Sequence, residues 1–160
     1  MKVAILINGL GPGGAERSLA EFVPELRARG VLPCVIALRQ EGRELEDQVA
    51  RSGAEVLRCS GPLPISTLRL RRWLRRGRPA LLHTTLFEAD IVGRLAAMGT
   101  GIPVLCSLVN TTYAPIRLQD PNVRAWRLRA VRGIDSWTGR HFVSHFHAIS
   151  HAVKAAAVND

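Results

Sequence analysis

Residues 3–7, Val-Ala-Ile-Leu-Ile, form an unbroken apolar run that stops at a glycine-rich turn. Beyond the turn, Leu19, Phe22, Val23 and Leu26 recur at helical spacing up to Gly30, a natural helix terminator. The same alternation repeats along the chain. Apolar runs over 33–38, 54–59, 80–83, 103–109 and 142–149 predict five more strands. Helical patterns over 44–51, 67–76, 88–98 and 121–138 separate the later ones. Asp120 and Pro121 suit the cap and first position of the longest helix, and Ser150 caps a final one. Strands that are apolar throughout are buried on both faces, which requires a parallel sheet with helices on each side. The expected fold is a single α/β domain over residues 1–160, with a Rossmann-like, doubly wound, mostly parallel sheet.

Composition narrows the function. Hydrophobic residues make up 47% of the chain, enough for a packed core, so disorder is excluded. The net charge is +9, and of the 22 basic residues only Lys2 and Lys154 are lysine. Arginine is the better fork for phosphate, although arginine-rich composition also follows from base composition. Three widely spaced cysteines, Cys34, Cys59 and Cys106, sit in or beside apolar runs and show no metal-ligand spacing. His141, His145, His147 and His151 cluster without a recognised ligand pattern, so no metal is expected. The N-terminus lacks a signal-peptide pattern, and no apolar run reaches the ~18–20 residues of a membrane span. The expectation is a cytoplasmic protein, with peripheral attachment to the inner face of the membrane left open.

The turn itself carries chemistry. Gly9, Gly11 and Gly14 fit G-x-G-x-x-G between a strand and a helix. A helix N-terminus offers unpaired N–H groups and partial positive charge, and glycines let an anion approach. A dinucleotide site would want an acid at the end of the second strand, but that strand ends Leu38-Arg39-Gln40. NAD is therefore disfavoured, and Arg39 facing a 2′-phosphate keeps an NADP- or nucleotide-binding module as an alternative. Glu16 falls in the first helical turn, where a carboxylate offsets the dipole, and Arg17 follows it as a phosphate partner or a solvated residue.

The fuller string Gly13-Gly14-Ala15-Glu16-Arg17 resembles a signature near the N-terminus of family 4 glycosyltransferases, which have the GT-B fold. His83-Thr84-Thr85-Leu86 resembles the family's H-x-H-x segment. Ala89-Asp90, Gly93-Arg94-Leu95-Ala96-Ala97 and Gly101-Ile102-Pro103-Val104 are similar to its next helix and strand. His147-Ala148-Ile149-Ser150 is similar to the segment before the domain junction. The resemblance implies the N-terminal, acceptor-side domain of a retaining, metal-independent enzyme. Such an enzyme uses a nucleotide-sugar donor and a sugar or lipid-linked acceptor to build polysaccharide or glycolipid. It needs no cofactor beyond the donor itself. The donor-binding C-terminal domain with its paired glutamates has no counterpart in these residues, so it must be supplied in cis or in trans, and the chain alone is expected to be inactive.

The resemblance implies that Gly13 and Gly14 bring backbone amides to the donor phosphate or the acceptor. His83 and Thr85 are read as cleft-lining polar residues. Thr85 stands where the family's second histidine would be, and Val109 where another is common, so no catalytic residue is assigned. Asn110, Thr111, Thr112 and Tyr113 follow the fifth strand and offer amide, hydroxyl and phenol groups for sugar hydroxyls. Arg69, Arg71, Arg72, Arg75, Arg76 and Arg78 crowd one helix whose apolar stripe is Leu70, Trp73 and Leu74. They read as a solvated face or as an attachment to anionic lipid, which would also suit a non-catalytic membrane- or partner-binding domain. Nucleic acid is disfavoured, because no stacking-aromatic pattern accompanies the charge.

Overall fold

The computed structural model describes residues 1–40, 44–109 and 125–159. Its order is β1 (Lys2–Ile7), α1 (Gly14–Ala28), β2 (Leu32–Ala37), α2 (Glu46–Arg51), β3 (Glu55–Arg58), α3 (Leu63–Gly77), β4 (Leu81–Thr85), α4 (Phe87–Ala97), β5 (Val104–Leu108), α5 (Ala125–Phe142), β6 (His145–Ala148) and α6 (His151–Asn159). The strands form one sheet, β3-β2-β1-β4-β5-β6, with every pairing parallel. The Rossmann-like doubly wound sheet is thus present.

Strand alternation divides the core into two layers. Ala4 and Leu6 of β1, Cys34 and Ile36 of β2 and Leu82 of β4 point to one face, against Leu70 and Leu74 of α3 and Val92 and Ala96 of α4. Val3, Ile5 and Ile7 point to the other face, against Leu19, Ala20 and Val23 of α1 and Val49 of α2. Burying a side chain of Leu or Ile size stabilises by about 1.5–3 kcal/mol, and residues 3–7 of β1 are all buried. At Gly93, α4 lies close against the sheet. A Cβ there would sit 2.5 Å from Thr84 Cγ2.

Several boundaries differ from the sequence reading, each for a visible reason. α1 does end at Gly30: the Gly30 N–H donates to Arg27 O and the Val31 N–H to Leu26 O, with Gly30 at φ +75°. α3 starts at Leu63, not residue 67. Pro64 falls in its first turn, where an amide has no helical partner to lose. β4 runs on to Thr85, because Thr84 and Thr85 are polar but buried. α5 continues to Phe142, which shortens β6 to four residues. Trp137 packs its ring against His141 and Phe142, at centroid distances of 5.0 and 5.5 Å, and this holds the last turn together. The expected cap at Asp120-Pro121 lies outside the described residues. Ser150 does cap α6, its Oγ accepting from the Val153 N–H at 3.2 Å.

Candidate functional site

β1 leads leftward to β2, while β4 leads rightward to β5. The strand order therefore reverses between them, and a crevice opens beyond their carboxyl ends. Two helix N-termini flank that crevice. α1 begins on Gly13, in extended conformation at φ −70°, ψ 165°, with no side-chain cap. A Cβ on Gly13 would collide with the Glu16 carboxylate, which folds back over the helix start and offsets its dipole. Gly14 has nothing within 4 Å of where a Cβ would stand, so the backbone there is open to an incoming group. Arg17 is exposed one turn along. Gly13 does not need positive φ; what matters at Gly13 and Gly14 is the missing side chain.

The second N-terminus belongs to α4. Its first cap comes from the β1–α1 loop: the Ala89 N–H donates to Asn8 Oδ1 at 2.9 Å. Leu86, the residue before α4, is held at φ 79°, ψ 145°, a region leucine rarely enters and one that costs about 1–3 kcal/mol. That strain sits in the His83-Thr84-Thr85-Leu86 segment singled out by sequence. The sequence marks neither Asn8 nor Leu86 as a site residue. The cap links residues 81 apart, and a strained φ leaves no mark in sequence.

His83 corrects the sequence reading. It does not end β4 but lies at its centre, in register with Ile5 and Leu105. Its Nε2 is 2.7 Å from Ser107 Oγ, which is 3.4 Å from His147 Nδ1. A polar ladder thus crosses β4, β5 and β6 on the α1 side of the sheet, from half-buried His83 to exposed His147. Burial, helped by nearby His147, lowers the His83 pKa to about 4. The imidazole is neutral at physiological pH, and a hydroxyl between two imidazoles can donate to only one of them, so the other ring must donate to the hydroxyl. Thr85, registered with Ser107, is buried at the strand end. Ser107 escaped the sequence reading because it is hidden within an apolar run. Asn110, Thr111, Thr112 and Tyr113 lie outside the described residues.

Arg39, at the end of the second strand, finds a partner on α4. Its Nε and Nη2 both donate to Glu88 Oε2, at 3.0 and 2.8 Å, tying the end of β2 to the first turn of α4. Both side chains of the pair are exposed, at 60% and 39%, so it is a surface contact that can exchange partners. Deeper in, Arg94 is 2% exposed. It donates through Nη1 to the Asp135 carboxylate at 2.6 Å and to Thr138 Oγ1 at 3.1 Å, and through Nη2 to Cys106 Sγ at 3.3 Å. Asp90, on the same helix face, has its pKa pushed up to about 6 by burial, with Thr84 and Arg94 pulling the other way. The three cysteines are free and buried, and burial raises the Cys34 and Cys106 thiols to about 12. Among the described residues, no three His, Cys, Asp or Glu side chains converge as a metal site, and no helix is long and apolar enough to cross a membrane.

Solved structures share this architecture. Anabaena Alr3699/HepE in complex with UDP superposes with a TM-score of 0.76 at 17% identity, over 99% of this chain and 40% of that one. The lipopolysaccharide outer core galactosyltransferase WaaB in its apo form gives 0.66 at 10% identity, over 99% and 42%. MurG from Acinetobacter baumannii gives 0.62 at 15% identity, over 94% and 42%. These likenesses show the fold, and this chain spans about 40% of the length of HepE. No curated protein sequence matches the chain. The family known as the glycosyl transferase 4-like domain matches residues 13–159, from the glycine pair at the start of α1 to the last residue of α6. The chain belongs to that glycosyl transferase 4-like domain family.

Proposed function

We propose that this chain is the acceptor-side domain of a retaining, nucleotide-sugar-dependent glycosyltransferase that builds polysaccharide or glycolipid, and that it does not transfer sugar alone. The observation that carries this reading is the open crevice edge of a glycosyl transferase 4-like domain. There the uncapped N-terminus of α1 stands beside the N-terminus of α4. Gly13 and Gly14 present backbone amides to a phosphate or acceptor oxygen, and Arg17 adds a cation within one helical turn. Thr85, with Asn110, Thr111 and Tyr113, serves acceptor hydroxyls. His83 lies two residues before the end of β4, on the same face of the strand as Thr85. It acts through Ser107, holding the hydroxyl's orientation. The retaining course rests on the family resemblance alone. Free, buried cysteines suit a reducing cytoplasm.

Catalysis needs donor and acceptor held together, and such positioning is worth roughly 7–11 kcal/mol of barrier. A donor-binding half, in cis or in trans, must supply the other wall. The rival reading as an NADP module is not favoured, because the family that matches residues 13–159 is a glycosyl transferase 4-like domain. The test is to incubate the purified chain with a panel of nucleotide sugars and measure released nucleotide. Release at the buffer rate is expected. Steady release above it, abolished by Gly14→Trp, would overturn the half-enzyme reading.

A further inference from the structure

The two helical layers differ sharply in charge. α1 and α2 together carry five acids and three arginines. α3, α4 and α5 carry ten arginines and three acids, Glu88, Asp90 and Asp135. None of those three is free to neutralise the outer surface. Glu88 holds Arg39, Asp135 holds the buried Arg94, and Asp90 is itself buried.

The same layer exposes apolar groups between its arginines. α4 is almost wholly buried between α3 and α5, so the outer surface belongs to those two helices. On α3, the side facing away from Ser66, Leu70 and Leu74 carries Ile65 and Leu68, 46% and 49% exposed, among Arg69, Arg72, Arg75 and Arg76. On α5, the side facing away from Thr138 and Gly139 carries Trp126 and Trp137, 61% and 55% exposed, with Arg129 and Arg140. Trp126, Arg129, Gly133, Trp137 and Arg140 recur at three- and four-residue steps, making one stripe along the helix.

We infer that the outer face of α3 and α5 is a docking surface for an anionic lipid bilayer. Arginines that can reach headgroup phosphates surround tryptophan, isoleucine and leucine side chains that belong at headgroup depth. The charge complements an anionic leaflet, and the half-exposed aliphatic side chains distinguish this face from one built for nucleic acid, where isoleucine and leucine find little to contact. The α3 arginines were visible in sequence, but their union with the Trp-bearing face of α5 comes only from the packing of both helices against α4. The inference does not rest on the proposed function.

The test is sedimentation of the 160-residue chain with vesicles of phosphatidylcholine alone and with added phosphatidylserine, at low and physiological salt. Tryptophan emission is followed in parallel. Binding only to the anionic vesicles, weakened by salt, with a blue shift in emission, is the expected result. Arg72→Glu with Arg76→Glu on α3, and separately Arg129→Glu with Trp137→Ala on α5, should each lower the partition coefficient about tenfold or more. Arg51→Glu on α2 should leave it unchanged. Thermal melts identify any variant that fails to fold, and Arg→Gln at the same α3 pair then replaces it, with a smaller loss expected. Equal binding to both vesicles, or no binding, overturns the inference. So does loss on the α3 variant with none on the α5 variant, or an oligonucleotide that displaces the chain from anionic vesicles.

Discussion

The two halves of the sheet are held together by different chemistry. Around β1, β2 and β3 the interior is mostly apolar: Ala4, Leu6, Cys34, Val35 and Ala37 are fully buried, and the one partly buried ion pair among the described residues there, Arg58 with Glu46, sits at the end of edge strand β3. Around β4, β5 and β6 the buried polar and charged groups gather. His83 and Ser107 line one face, their ladder ending on exposed His147, and Asp90, Arg94, Asp135 and Thr138 line the other. The apolar half is held mainly by burial of hydrocarbon, a force that does not itself depend on pH. The polar half fixes directions, because hydrogen bonds and ion pairs hold α4 and α5 at set angles beside the crevice. It is correspondingly sensitive to the loss of one partner, since an orphaned buried charge costs more than a lost methyl group.

The largest effect should come from Arg94→Ala. It leaves Asp135 and Asp90 without their cation and should destabilise by about 3–5 kcal/mol in urea unfolding. If the loss is under ~1 kcal/mol, the polar half is not held as described. Leu6→Ala in the apolar half should cost about 2–5 kcal/mol, and its cost should be the same at pH 5 and pH 7. A pH-dependent cost there would blur the contrast. Gly93→Ala should destabilise by about 1–3 kcal/mol, because the added methyl must push Thr84 and Leu6 aside.

The pH dependence gives the finest comparison, since the two faces of the polar half respond in opposite directions. His83 has its folded pKa lowered to about 4 from the ordinary 6.5. Its contribution is full above pH 6.5 and is lost as pH falls toward 4. Asp90 has its folded pKa raised to about 6 from 3.8. Its contribution is full below pH 3.8 and is lost as pH rises through 6. Between pH 4 and 6 the two partly cancel. His83→Gln should therefore flatten the loss of stability on acidification, and Asp90→Asn should steepen it. Urea midpoints across this range would show both, and parallel slopes in the two variants would contradict the assignment.

The sequence revealed the apolar half best. Unbroken runs such as residues 3–7 have one physical explanation, burial on both faces, and β1 and β2 came out within one residue at either end. It was less informative where polar residues are buried. Thr84 and Thr85 look like a loop, and Phe142 looks like a strand until Trp137 is seen beneath it. The candidate site divided the same way. Gly13 and Gly14 advertise a helix start, and α1 does begin there. The pairings Arg39–Glu88, His83–Ser107 and Ser107–His147 span 49, 24 and 40 residues and arise only from strand order and register.

The proposed function places substrate at the carboxyl edge of the sheet, where α1 and α4 begin. Backbone amide NMR of the labelled chain, titrated with UDP-glucose and then with a panel of sugar acceptors, tests it directly. The amides of Gly13, Gly14, Thr85 and Leu86 should shift in a saturable way. Those of Gly30, Gly77 and Gly101, which end α1 and α3 and precede β5 at the opposite edge, should stay still. Saturable shifts confined to that opposite edge would contradict the account.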